Sequence, residues 1–179
     1  MAAATEPLLI TVEQFREMPQ REHVKQELRW GQIVTLPPPK IRHAKIQSRL
    51  VRLLRPKAEH LGVVEPEVAF RALPEYDLRI ADVAFVSRAR WDAADDNDNL
   101  HGAPEMVIEV LSPSNTPNEI REKATLCLST GAQEFWIVDP VRKRITVMRP
   151  KAATAIYECE DRMRLHLFGG ELPVRDIFE

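Results

Sequence analysis

No apolar run in this 179-residue chain approaches the roughly 20 residues that a membrane span requires. The N-terminal stretch MAAATEPLLITVEQF lacks the basic start and long apolar segment of a signal peptide, so the expected location is the cytoplasm. Cysteine is scarce. Cys127 and Cys159 are the only two, which excludes a disulfide framework; in a chain without an export signal both are expected to be reduced, and neither reads as a ligand. No glycine-rich phosphate loop, serine nucleophile elbow or zinc-ligand spacing occurs, which argues against nucleotide, acyl-transfer and zinc chemistry. Strong net charge is missing too. At -2, with a pI of about 6.2, the chain has no global attraction for phosphate, and any interaction with nucleic acid must rest on local charge.

What is present describes one globular domain spanning residues 1–179. The 44% hydrophobic content suffices for a core, and the 14 prolines are scattered at element boundaries without forming a tract. Thr11-Val12-Glu13-Gln14 has capping-box spacing and opens a short helix that Pro19 ends. Residues 26–36, with Gly31 between Leu28 and Ile33-Val34, read as a hairpin, and Pro37 to Pro39 then break the chain. Ile46, Leu50, Leu53 and Leu54 recur at helical spacing over 42–61, with Gly62 as a stop and Pro56 kinking or shortening the last turns. Strands are expected at 63–70, 80–86 and 106–111, the last two as nearly continuous apolar runs that suit burial on both faces. A helix over 118–130 ends before Gly131, and a strand over 133–138 closes at Asp139-Pro140. Segments 144–148, 155–159 and 164–168 alternate as a meander or hairpin extension of the sheet.

Two carboxylates interrupt the strand runs: Asp82 in RIADVAFV and Glu109 in PEMVIEVLSPSN. Charges inside sheet core are expensive without partners. If the strands are neighbours, the two converge, and their repulsion is relieved by protonation or by a cation, with hard oxygens favouring magnesium or manganese. On spacing alone the alternative stands level: each sits at a strand end and takes backbone or arginine hydrogen bonds. Lys123 falls inside the apolar arc formed by Ile120, Ala124, Leu126, Cys127 and Leu128, which turns its ammonium toward the sheet, although a snorkelling lysine is the plainer account. Asp, Glu and Lys together are the set that metal-assisted phosphodiester hydrolysis needs. Lys123→Met, which keeps the stem, is expected to change stability by no more than about 1 kcal/mol while slowing cleavage.

These residues lie within a wider pattern. QELRWGQIV, IADVAFV, PEMVIEVLSPSNT and EKATLCLSTGAQEFWIVDP, taken together, resemble the Uma family of restriction-endonuclease-like, PD-(D/E)XK nuclease type, over almost the entire chain. The resemblance implies an α/β fold with an αβββαβ core around a mixed central sheet, here with an N-terminal hairpin and a C-terminal β extension. It implies Asp82 and Glu109 as metal ligands, Glu27 as an additional acidic ligand, Lys123 as the catalytic lysine, DNA as substrate and a homodimer. Three positions depart from the pattern. Ala81 stands where a proline usually precedes the aspartate, Cys127 where a helix tyrosine is common, and Leu111 where many nucleases of this fold place their lysine. The last makes the site depend on Lys123 supplying the amine from the helix.

Other features read more plainly. Arg42, Lys45, Arg49 and Arg52 form a basic stripe that reads first as a solvated helix face and second as a phosphate track. His43, at a helix start, reads first as structural and second as a hydrogen-bond partner near the site, and it stays outside the catalytic set. WDAADDNDN lacks the ligand alternation and turn glycine of a calcium loop, and Trp91, Phe135 and Trp136 read as core or interface residues. FWIV and LHLF offer apolar surface for an isologous dimer. The competing function is a catalytically silent nuclease-fold module for DNA binding or assembly.

Overall fold

The computed structural model describes residues 9–19 and 24–179; residues 1–8 of the N-terminal stretch lie outside them. Thr11 caps helix α1 (Val12–Glu17) with the expected capping box. Strands β1 (Lys25–Arg29) and β2 (Gln32–Leu36) pair antiparallel through a two-residue turn, Trp30 and Gly31, both at positive φ (52° and 75°). That is the left-handed geometry that tight hairpins require, and glycine meets it without strain.

Helix α2 (Ile41–Ala58) runs through Pro56 and stops at Ala58, earlier than the periodicity suggests; Gly62 belongs instead to strand β3 (Gly62–Leu73). A Cβ at Gly62 would lie 2.0 Å from the carbonyl oxygen of Val86, so the close approach of β3 to strand β4 (Asp77–Ser87) requires glycine there. A short helix α3 (Arg88–Asp92) and strand β5 (Leu100–His101) precede β6 (Met106–Val110). Helix α4 (Pro117–Ser129) begins one residue before its expected start, because Thr116 and Glu119 form a second capping box with Pro117 in the first turn. Strands β7 (Glu134–Asp139), β8 (Arg144–Met148) and β9 (Ala155–Tyr157) follow.

The mixed sheet runs β2-β1-β4-β6-β7-β8-β9, with β3 on β4 and β5 on β3. Pairing is antiparallel except β6 with β7 and β3 with β5. The parallel β6–β7 pair is joined through α4, as a parallel crossover demands. α2 packs on one face, its Ile46, Leu50 and Leu54 against Val83, Phe85, Ile108 and Trp136. α4 packs on the other, its Ile120, Ala124 and Cys127 against Ala84, Val107 and Phe135.

The C-terminal segment departs from expectation. Strand β10 (Arg162–Arg164) pairs with β11 (Glu171–Pro173) in a separate two-stranded sheet, followed by helix α5 (Arg175–Phe178). Met163, Leu165, Leu172 and Ile177 bury against the α2 cluster, a better sink for apolar surface than the edge of the main sheet. Trp136 and Phe135 are core residues as expected, whereas Trp91 is 40% exposed. Among the described residues no helix is long and apolar enough to cross a membrane.

Candidate active site

Strand register creates the site. β4 and β6 pair with Val83 opposite Ile108, so one step further sets Asp82 beside Glu109, and the Asp82 amide donates to Glu109 Oε1 at 3.4 Å. In β6, Met106, Ile108 and Val110 pack toward α2 while Val107 packs toward α4. Strand alternation therefore turns Glu109 to α4. There it meets Lys123, whose side chain is 7% exposed and whose Nζ lies 2.9 Å from Glu109 Oε1. The same ammonium donates to Glu27 Oε1 at 3.1 Å and to the Ile80 carbonyl at 2.7 Å. Its three donors thus have three acceptors. Asp82, Glu109, Lys123 and Glu27, drawn from β4, β6, α4 and β1, meet at one place.

Glu27 is fully buried, and both its oxygens are taken up by protein donors. Oε1 accepts from the Ile80 amide (2.9 Å) and Lys123, and Oε2 from Arg29 Nε (2.7 Å). Burial pushes its pKa up, but the charges of Lys123 and Arg29 outweigh this and hold it at about 2. The folded value lies below the ordinary 4.5, so its stabilisation is present above that pH and is lost as pH falls toward 2, amounting to about 3 kcal/mol. We expect the stability gap between the parent and Glu27→Gln, measured by urea unfolding, to be wide near neutral pH and to narrow progressively below about pH 4.5. A gap independent of pH would mean that the Glu27 charge is not held by these partners.

Glu109 lies in the opposite situation. Burial raises its pKa, Lys123 opposes, and the neighbouring Asp82 and Glu27 push it up further; the net direction is up. Burial works against the Lys123 charge as well, yet Glu109 and Glu27 hold its pKa well above the usual lysine range, so it stays protonated. Three carboxylates, Glu109, Glu27 and Asp82, therefore act on one buried ammonium, with Arg29 neutralising part of that charge at Glu27. Asp82 Oδ2 accepts from the Val110 amide at 2.7 Å and lies 3.0 Å from His43 Nε2, while Gln47 Nε2 donates to the Asp82 carbonyl at 2.8 Å. Asp82 Oδ1 and Glu109 Oε2 take no hydrogen bond among the described residues. Among those residues no three His, Cys, Asp or Glu side chains form a ready metal cluster. Magnesium does not require one, because it keeps several waters and takes one or two carboxylates. The two free hard oxygens, on carboxylates from adjacent strands, fit such an ion.

His43, kept outside the catalytic set on sequence grounds, makes the hydrogen bond near the site that was its second reading. Burial lowers its pKa, but Asp82, and behind it Glu109, bring the net shift upward; its Nδ1 is buried without a partner among the described residues. A signal was available: His43 and Gln47 are one turn apart and continue the face of Leu50 and Leu54, so they are polar members of a buried stripe. Arg79 was missed. It is buried, chelates Asp77 (2.8 and 2.9 Å) and reaches Glu122 Oε1 at 2.8 Å, where the Trp30 indole also donates (2.7 Å). With Arg29 bonded to Glu119 at 3.1 Å, these contacts fix α4, and hence Lys123, to the sheet.

The site opens into a cleft of about 420 Å3, walled by Pro37 to Pro39, the start of α2 and the 112–115 loop. The acidic loop is elsewhere. Its Asp98 accepts from Arg71 (2.8 Å) and Arg16 (3.1 Å), which ties the loop to β3 and α1.

Comparison with known proteins agrees with this picture. A family model described as "Putative restriction endonuclease" matches residues 12–175. No curated protein matches. A crystal structure of a "putative nuclease" from Anabaena variabilis is similar with a TM-score of 0.81 and 24% identity, covering 94% of this chain and 97% of that one. At that identity the likeness shows the fold.

Proposed function

The chain belongs to the Uma2 family of restriction-endonuclease type, and from that membership together with the site we propose that it is a cytoplasmic, magnesium-dependent endonuclease hydrolysing phosphodiester bonds of DNA. Asp82 and Glu109 would hold the ion, magnesium or manganese, with the oxygens that no protein donor among the described residues occupies. When bound, the ion supplies Lewis acidity and makes water a stronger nucleophile at neutral pH. Lys123 is the group that faces the reacting phosphate. Its raised pKa keeps it charged, so it serves as a fixed positive charge against the negative charge that builds at phosphorus and does not act as a proton acceptor. Asp82 is held on Oδ2 by Val110 and His43, which leaves Oδ1 directed at the ion. Glu27 enters the ligand set only by giving up Lys123, Ile80 and Arg29; with those bonds intact it positions the lysine.

The observation that carries this reading is the buried Lys123 ammonium 2.9 Å from Glu109. These ion pairs also stabilise the fold, but Lys123 stands at the cleft beside two carboxylates that each keep a free oxygen, and hydrolysis needs both signs of charge side by side. The test is incubation of the protein with supercoiled, linear and single-stranded nucleic acid, in magnesium, manganese or a chelator. We expect metal-dependent cleavage abolished by the chelator. Absence of cleavage on every substrate would leave the silent nuclease-fold module. The homodimer now rests on the family resemblance alone, because Phe135, Trp136, Val138 and Leu165 of FWIV and LHLF are buried in the core. We expect a dimeric mass in solution at micromolar concentration, and a monomeric mass would remove it.

A further inference from the structure

From Lys40 to Lys57 inclusive the chain carries seven lysines and arginines and no acidic residue. α2 buries Ile46, Leu50, Leu54 and Ala58, and its other side carries Arg42, Lys45 and Arg52 exposed, with Arg49 half-buried and donating to the Phe178 carbonyl at 3.1 Å. Among the described residues, Arg55 with Glu65 is the only arginine or lysine of this helix paired to a carboxylate. Like charges at three- and four-residue spacing repel along a helix. An unneutralised row of this kind calls for a polyanion.

The N-terminal part of the row lines a groove of about 540 Å3 between the start of α2 and the β7–β8 turn, where Arg42, Lys45 and Arg49 face Val141 and Lys143, and no carboxylate among the described residues contributes; Arg52 lies beyond it. The groove adjoins the catalytic cleft, since Lys40 and His43, which flank Ile41 and Arg42 in the chain, line that cleft. Ile41 and Val141 at its mouth are 72% and 79% exposed. From Arg42 to Arg49 the stripe runs about 10 Å at roughly 1.5 Å per residue, the length of a contact with about two successive phosphates of one strand. Binding of single strands relies on aromatic stacking platforms. The one aromatic in this groove, Phe178, packs against the core.

We propose that this groove carries the sugar-phosphate backbone of duplex DNA as it leaves the cleft. The assignment rests on the nuclease reading for the identity of the polyanion, and on charge and geometry for its path.

The test measures binding of a fluorescent DNA duplex, and of one of its strands, by the full chain in chelator, across a salt series. The parent binds the duplex more tightly than the strand. Arg42→Glu with Lys45→Glu weakens duplex binding more than about tenfold at moderate salt and lowers the slope of log affinity against log salt by about 2, two phosphate contacts at roughly 0.9 each. Arg42→Gln with Lys45→Gln moves the same way by less. Lys57→Glu with Lys151→Glu changes net charge equally at exposed positions outside groove and cleft, and leaves affinity within about twofold. Circular dichroism confirms that all variants fold. Equal losses in the two reversal pairs, or tighter binding of the single strand, overturn the proposal. Duplex binding that depends on Arg42 and Lys45 without metal-dependent cleavage overturns the nuclease reading and leaves the track standing. Cleavage with unaltered binding in the Arg42 and Lys45 variants does the reverse.

Discussion

Lys123→Met is expected to lower the cleavage rate by roughly a hundredfold or more, because on the proposed mechanism it removes the fixed positive charge that faces the negative charge developing at phosphorus. It also destabilises the fold. A lysine on an apolar arc suggests a near-neutral packing swap, but the ammonium here bonds Glu109, Glu27 and the Ile80 carbonyl in a buried setting. Removing it leaves buried Glu109 without a cation and Glu27 with Arg29 alone, and about 3–5 kcal/mol is the usual cost of breaking a buried pair. Glu109, whose pKa is already raised by burial, then protonates more readily, which limits the loss. The measurement is single-turnover cleavage at a temperature where circular dichroism shows the variant fully folded, alongside urea unfolding. Cleavage at the parental rate by the folded variant would remove Lys123 from the reaction, and unchanged stability would mean that its ion pairs do not form.

Asp82→Asn should slow cleavage more, on the order of a thousandfold, since loss of the ion forfeits several kcal/mol of transition-state stabilisation and each 1.36 kcal/mol is about tenfold in rate. The substitution keeps an oxygen to accept from the Val110 amide, so the backbone contact that orients the side chain at 2.7 Å survives. A second readout does not depend on catalysis. Magnesium relieves repulsion between Asp82 and Glu109 in the folded state only, so it should raise the parent's unfolding temperature by linkage, about 2.7 kcal/mol at a hundred times its dissociation constant. In Asp82→Asn that shift should vanish. A variant that gains as much from magnesium as the parent, or cleaves within tenfold of it, would show that the ion sits elsewhere.

Much of the site was legible in the order of residues. Asp82 and Glu109 stand out because an ionisable group inside a strand run needs a reason, and Lys123 because a 3.6-residue period places it among Ile120, Ala124 and Cys127, with which it is indeed buried. Glu27 was not legible from pattern. It lies in KQELR, a polar hairpin strand with no periodic anomaly, and only the resemblance pointed to it. His43 and Gln47 were visible as residues on the buried stripe of α2, but nothing local says which strand that stripe covers. The hairpin's task was also hidden: Trp30 looks like a spare turn aromatic until its indole is seen bonded to Glu122.

The misreadings share one cause. FWIV and LHLF are apolar enough for an interface, yet they serve the core, because apolarity shows that a side chain leaves water and not what covers it. The segment after β9 alternates as a sheet extension would, yet β10 pairs with β11 and seals the α2 layer.

By itself the sequence determined the main elements up to β9, though not α3 or β5, and singled out Asp82, Glu109 and Lys123 as ionisable groups set among apolar ones, since periods of 2 and 3.6 residues and capping boxes are local properties of the chain. Tertiary structure decided who meets whom. The β4–β6 register sets Asp82 beside Glu109, and the α4 crossover brings Lys123 to Glu27 across 96 positions. The packing of α2 lays His43 on Asp82 and leaves its basic row facing an open groove. Those neighbours follow from sheet register and layer packing, which depend on every element at once and so leave no mark at the positions they join.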